Sequence, residues 1–295
     1  MAQREKVNDI SVCGMITLYS PPESLFHNIS TYIDYIEKLY IVDNSVDYDD
    51  NMYAELLHTY PKVEIVASGK NIGVAAALNL CIAVALQNKY QWMLTMDQDS
   101  FFDADQAKHY FCSLTCIDNK KKVALLSPSH ERVLMDSDVC VYQQKEVVMT
   151  SGNLLNLLLV KDIGLFNEDL FIDSVDHDYC LRAHILGLDV LQAKNCFIQH
   201  EVGRLYSSSL LFGYRKRTFY IHSPKRMYFI VRNSLYMGNK YRKAFPEFII
   251  KQNKAVYERI SKSLRYGDNK KNYMKYIIKA YIDYYFNKYG NQVNL

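Results

Sequence analysis

Four short apolar runs, ISVCGMITLY (10–19), KLYIVDNS (38–45), KVEIVAS (62–68) and QWMLTMD (91–97), recur through the N-terminal third with a helix-length segment between each pair. Runs of this length, rich in Val, Ile, Tyr and Thr and bounded by polar turn residues, read as strands. Strand and helix in alternation predict a mostly parallel sheet covered by helices. GKNIGVAAALNLCIAVALQ (69–87) reads as a turn and then a buried helix, with Ala75, Ala76 and Ala77 small enough to pack closely on the sheet. DLFIDSVDHDYCLRAHILGLDV (169–190) predicts a helix from near Ser174, closed by Gly187. Asp173 or Ser174 can cap it, and Asp178 stands i,i+4 from Arg182 as an ion pair.

Polar residues gather where the strands end: Tyr19 and Ser20, Asp43 and Asn44, Asp97 and Asp99. In open α/β sheets ligands bind beyond the carboxyl ends of the strands, so these clusters are expected to converge on one crevice. In WMLTMDQDS (92–100) the two aspartates are i and i+2, which puts them on one face of a strand, close enough to repel unless a positive charge lies between them. Such a pair suits an oxygen-preferring divalent cation, which commonly binds one or two carboxylates together with substrate phosphates. Asp176, in the first turn of the later helix, has no partner supplied by that helix and can serve as a base. Together these features suggest group transfer from a nucleoside diphosphate. The first strand is followed by LYSPPESL, without G-x-G-x-x-G or G-x-x-x-x-G-K-[ST], which argues against a dinucleotide dehydrogenase or a P-loop NTPase. Asp43 reads either as a base or ribose contact or as an Asx turn after a strand. Gly73 reads either as a close backbone approach to a ligand or as a tight turn.

Composition narrows the class. With 295 residues, 49% apolar and 23% charged, the chain is an ordinary globular one, large enough to bury a full core. MAQREKVND has no apolar signal region, and no charge-free apolar stretch, VVMTSGNLLNLLLV (147–160) included, reaches the ~20 residues of a bilayer span. Seven scattered cysteines are expected to be reduced core thiols of a cytoplasmic protein. The net charge of +3 hides a division: residues 1–203 carry 15 Lys+Arg against 28 Asp+Glu, and residues 204–295 carry 20 against 4.

The ordered set LYSP, IVDNS, KNIGVAAALN, LTMDQDS and FIDSVDHDYCLRA resembles the inverting family-2 glycosyltransferases with the GT-A fold over residues 10–203, DQDS corresponding to their D-x-D element. DQDS, the FIDSVDHDYCLRA block and HSPKRMYFIVRN (222–233) resemble the bacterial rhamnosyltransferase branch. The resemblance implies a GT-A, Rossmann-like catalytic domain over 1–203, a mostly parallel α/β sheet flanked by helices, followed by a mainly helical basic region over 204–295. It implies a nucleotide-sugar donor, dTDP-rhamnose or a UDP-sugar, and a glycan acceptor carried on a polyprenyl diphosphate, in surface-polysaccharide synthesis. Asp43 would contact the nucleoside, Tyr19 would wall its pocket, and Asn71 and Gly73 of KNIG would join the donor site. Asp97 would lie near ribose or metal, Asp99 would ligate Mg²⁺ or Mn²⁺, and Asp176 would be the general base. His200, in CFIQHEVG, either completes the metal shell, reaches the diphosphate or is a structural hydrogen-bonder. A catalytically silent carbohydrate- or nucleotide-binding module is the reading from another class.

The basic, Tyr-rich C-terminal third invites a nucleic-acid reading, but no such binding motif is present. KKNYMKYIIKAYIDYYFNK (270–288) sets Lys271, Lys275 and Lys279 beside Met274, Ile278, Tyr281 and Tyr285. That pattern fits a peripheral helix on an anionic membrane surface at the inner face of the cell membrane. A helix packed on the protein with solvated lysines, or a homodimer interface, fits it as well.

Overall fold

The computed structural model describes residues 10–290 apart from 48, 104, 132–139, 201–204 and 210–215. Two compact units emerge, one formed by Met1–Glu168 with Val175–His200, the other by Asp169–Ser174 with Glu201–Leu295.

The first unit contains strands β1 (Val12–Leu18), β2 (Leu39–Asp43), β3 (Val63–Ala67), β4 (Trp92–Asp97), β5 (Ser100–Phe101), β6 (Val123–Ser129), β7 (Tyr142–Gln144), β8 (Asn153–Asn156), β9 (Asp189–Phe197) and β10 (Gln199–His200). Its helices are α1 (Leu25–Ser30), α2 (Asp50–Thr59), α3 (Val74–Gln87), α4 (Gln106–Thr115), α5 (Val160–Ile163) and α6 (Val175–Ile185). Eight strands form one sheet in the order β3-β2-β1-β4-β8-β6-β9-β7. The first four are mutually parallel, as the alternation of strand and helix requires, and β8 runs antiparallel to both β4 and β6. The sheet is therefore mixed but mostly parallel. β1 and β2 are buried almost throughout because helices cover both faces of a parallel sheet, so the strands read as continuous apolar runs. β5 and β10 form a separate two-stranded antiparallel ribbon with His200 opposite Ser100.

The second unit contains the antiparallel ribbon β11 (Leu205–Ser209) and β12 (Lys216–Tyr220), then α7 (Pro224–Tyr241), α8 (Pro246–Tyr266) and α9 (Lys270–Tyr285). Ser223 caps α7, its Oγ accepting the Arg226 N–H at 3.2 Å, and Pro224 follows where a missing N–H costs nothing. Met227, Tyr228, Ile230 and Val231 of α7 share a core with Val256 of α8 and Tyr273, Ile277 and Ala280 of α9. Residues 169–174 belong to this unit and are bent: Phe171, Asp173 and Ser174 each hold φ of +63°, a conformation costing non-glycine residues on the order of 1 kcal/mol or more. Two fully buried polar side chains hold the bend. Arg232 donates through one terminal nitrogen to the Asp169 and Leu170 carbonyls (2.7 and 3.1 Å). Asn233 Nδ2 lies 2.7–2.9 Å from the carbonyls of Leu170, Ile172 and Asp173.

Helix α6 starts one residue after Ser174, and its Asp178 pairs with Arg182 at 2.9 Å as the spacing predicts. Asp173, expected as a cap, has its carboxylate on Arg226 instead, with contacts of 3.1 and 3.2 Å. The cysteines correct the expectation of core thiols: Cys13, Cys81, Cys180 and Cys196 are buried, but Cys112 and Cys140 are half-buried and Cys116 is exposed.

Candidate active site

The exits of three neighbouring strands lie side by side, since Leu18 of β1 is in register with Asp43 of β2 and Thr17 with Asp97 of β4. Gln98, between the two aspartates, is bonded to Tyr19 twice: its Oε1 accepts the Tyr19 N–H at 2.8 Å and its Nε2 donates to the Tyr19 carbonyl at 3.0 Å. The Gln98 carbonyl in turn accepts Asn28 Nδ2 at 2.9 Å. The turn carrying the aspartates is thus fastened to the end of β1 and to α1. Tyr19 itself is 58% exposed, presenting its ring at the rim.

Asp43 is buried, with Oδ1 accepting the Ser45 N–H at 2.7 Å in an Asx turn and Oδ2 accepting the Tyr53 hydroxyl. Asn44 Oδ1 accepts the Ile72 N–H at 3.1 Å, and Asn71 Oδ1 accepts the Gly73 N–H at 3.0 Å, so the 71–73 turn is drawn to the end of β2. Gly73 sits at φ of +84°, where a side chain would be strained, so a tight turn is reason enough for glycine there.

Asp97, Asp99 and His200 come together, each offering a ligand atom within 4.8 Å of the others. Among the described residues this is the one cluster of three or more such groups. The β5–β10 ribbon delivers the histidine: its Nδ1 is 2.7 Å from Ser100 Oγ and 3.3 Å from Asp99 Oδ1. Asp99 Oδ1 is buried and accepts no properly directed hydrogen bond, leaving an oxygen suited to a cation. Two carboxylates and an imidazole match Mg²⁺ or Mn²⁺ completed by water or phosphate oxygens. Asp176 stands half-buried in the first turn of α6, its Oδ1 accepting the His177 N–H at 2.8 Å.

Supporting residues were not legible beforehand. Ser151 Oγ accepts the Asp97 N–H at 3.2 Å, and the next residue, Gly152, has φ of +83° and no room for a Cβ, which would fall 2.7 Å from Pro128 Cγ. His130 faces His200 edge-on at 6.4 Å between ring centroids. Burial, and then the neighbouring His200, lower its pKa to about 4, so it is a neutral imidazole at pH 7. A lone histidine after a strand carries no pattern that would reveal this.

A mostly parallel sheet with the Asp-x-Asp turn at a strand exit defines the class: the fold is that of the GT-A glycosyltransferases. Residues 22–109 match the family model for glycosyl transferase family 2. It is 24% identical over 302 residues to the dTDP-rhamnosyl transferase RfbF of Shigella flexneri, covering 92% of this chain and 95% of that protein. Among solved structures it is similar to the mannosyltransferase PcManGT from Pyrobaculum calidifontis in complex with GDP-Man and Mn²⁺, with a TM-score of 0.56 at 13% identity over 97% of this chain and 93% of that one. It is also similar to GalNAc-T7 with UDP, GalNAc and Mn²⁺, with a TM-score of 0.57 at 11% identity, over 93% of this chain and 57% of that chain.

Proposed function

We propose that the protein is a metal-dependent, inverting glycosyltransferase that moves rhamnose from dTDP-rhamnose to a hydroxyl of a glycan carried on a polyprenyl diphosphate, at the cytoplasmic face of the membrane. The observation that carries the reading is the convergence of Asp97, Asp99 and His200 beside the exits of β1 and β2. The choice of donor is supported by the relative named a dTDP-rhamnosyl transferase, which is similar to this chain over 92% of its length.

Asp99, Asp97 and His200 would hold the cation. Bound there with the donor, Mg²⁺ or Mn²⁺ supplies positive charge to the diphosphate as it departs. Tyr19 offers an exposed ring to the nucleoside, and the 71–73 turn brings backbone close to the donor. Asp176 takes the proton of the acceptor hydroxyl as its oxygen bonds to the anomeric carbon; the carbon–oxygen bond to the diphosphate breaks with its electron pair leaving on phosphate. Attack from the face opposite the leaving group inverts the configuration.

A donor panel of dTDP-rhamnose and UDP-hexoses, incubated with a lipid-linked acceptor extract and read by mass spectrometry and anomeric NMR, tests this. Rhamnose transfer with inversion is expected. Preferential turnover of a UDP-hexose would replace the donor, a retained configuration would remove the single displacement, and binding without transfer would leave a silent module.

A further inference from the structure

The outward side of α9 is apolar. Met274, Ile278, Tyr281, Ile282 and Tyr285 fall at i, i+4, i+7, i+8 and i+11, which is one face of a helix, and all five are between 45% and 78% exposed. The buried side of the same helix is a different set, Tyr273, Ile277 and Ala280, and it already supplies the packing against α7. A contiguous apolar strip left over after a helix has been packed marks an interaction surface. Lysines frame it. Lys270 and Lys271 stand one turn ahead of Met274 and Lys275 stands beside it, all three exposed. Lys279 departs from the expected row of solvated lysines: its Nζ is 2.7 Å from the buried Asp283 carboxylate and sits over the Tyr228 ring, so it belongs to the packing of the unit.

We propose that this face of α9 docks on an anionic lipid surface. The helix lies in the plane of the interface with Met274, Ile278 and Ile282 toward the acyl chains and Tyr281 and Tyr285 at the headgroups. Lys270, Lys271 and Lys275 face lipid phosphates. Contact is peripheral, since no described helix is long and apolar enough to cross a membrane. A second copy of the chain is the rival occupant, and charge argues against it. Residues 204–295 carry 20 Lys+Arg against 4 Asp+Glu, and a two-fold contact through α9 would press two halves of +16 together, whereas anionic lipid neutralises them. This inference does not rest on the proposed chemistry.

The test is co-sedimentation of the full chain with phosphatidylcholine vesicles, with and without phosphatidylglycerol, at low and high salt. Expected is pelleting only with phosphatidylglycerol, weakened by salt. Reversing Lys270, Lys271 and Lys275 to Glu should lower the partition coefficient by roughly a hundredfold or more. Met274→Ser with Ile278→Ser and Tyr285→Ser should lower it while the lysines remain; thermal melts establish that both variants are folded. Equal pelleting with both vesicle types, no pelleting, or undiminished binding by either folded variant would overturn the proposal. So would a lipid-free dimer, seen by sedimentation velocity, that the Ser variant dissolves.

Discussion

Gln98 and Tyr19 are joined by a reciprocal pair of hydrogen bonds, side-chain amide to backbone N–H and carbonyl, across 79 residues of sequence. The residue between the two aspartates therefore holds the backbone of Tyr19, whose side chain is exposed, beside the turn. Neutral hydrogen bonds of this kind are worth about 0.5–1.5 kcal/mol each, less where water competes. Gln98→Ala is expected to leave the melting temperature nearly unchanged and to raise the donor KM about three- to tenfold at similar kcat. Steady-state kinetics decide it; an unchanged KM would mean that Tyr19 does not bear on the donor.

Asp99→Asn removes a charge from a partly exposed turn and not from the core. Turnover that depends on added Mg²⁺ or Mn²⁺ is expected to vanish while the thermal melt stays like wild type. Full activity of the variant after EDTA treatment and metal re-addition would show that the carboxylate does not hold the ion.

Asp176→Asn keeps size and loses basicity, so calorimetric donor affinity should persist while transfer falls by roughly 10²–10⁴-fold. Asp173→Asn is the contrasting variant, because the Asp173 carboxylate is already paired with Arg226. Its expected effect is a modest loss of stability with transfer largely kept. An Asp173→Asn loss as large as that of Asp176→Asn would move the base.

Asn233→Ala removes a fully buried side-chain donor from the carbonyls of Leu170, Ile172 and Asp173, the last two at partly buried positions, while the Leu170 carbonyl keeps Arg232 and the Ile172 N–H. A buried carbonyl left unpaired costs about 1–3 kcal/mol, so urea unfolding should report a loss of about 2–4 kcal/mol. A change below ~1 kcal/mol would mean that the bend at 169–174 holds itself.

His222 gives the second unit a pH dependence of definite sign. Burial, and then the Arg226 guanidinium, push its pKa below the usual 6.5, with Arg259 adding to the push and Asp173 opposing it. Between about pH 6.5 and the depressed folded value the unfolded chain binds more protons, so stability falls as pH drops through that window and is untouched above it. His222→Gln should flatten the acid limb of a melting temperature–pH curve and leave neutral pH alone. An unaltered limb would assign the acid sensitivity to other groups.

The parallel half of the sheet was legible because each strand is an apolar run with its polar residues at the exit, and Asp97 and Asp99 stood out by their spacing. The β5–β10 ribbon was not, since two-residue strands carry no period, and so His200 reached the carboxylates by a route the sequence did not announce. Gln98 and Ser151 act on backbone groups, an interaction without a residue-type signature. The bend at 169–174 was hidden for a similar reason: Arg232 and Asn233 recognise carbonyls, which every residue has. Cys116 is exposed at the C-cap of α4, a placement that spacing alone does not fix.

The pairing of His200 with Ser100 spans 100 residues, and this orders events in the life of the chain. At about 5–20 residues per second, the two carboxylates emerge from the ribosome on the order of 5–20 s before the imidazole that closes the cluster. Under the proposed role of the cluster, nascent protein would carry an incomplete set of ligands until residue 200 is made, and full affinity for a cation would be a property of the finished first unit. A fragment ending ahead of His200 would retain the acidic turn and bind divalent ions weakly and with little discrimination, so maturation of the site can be timed by metal affinity as well as by spectroscopy.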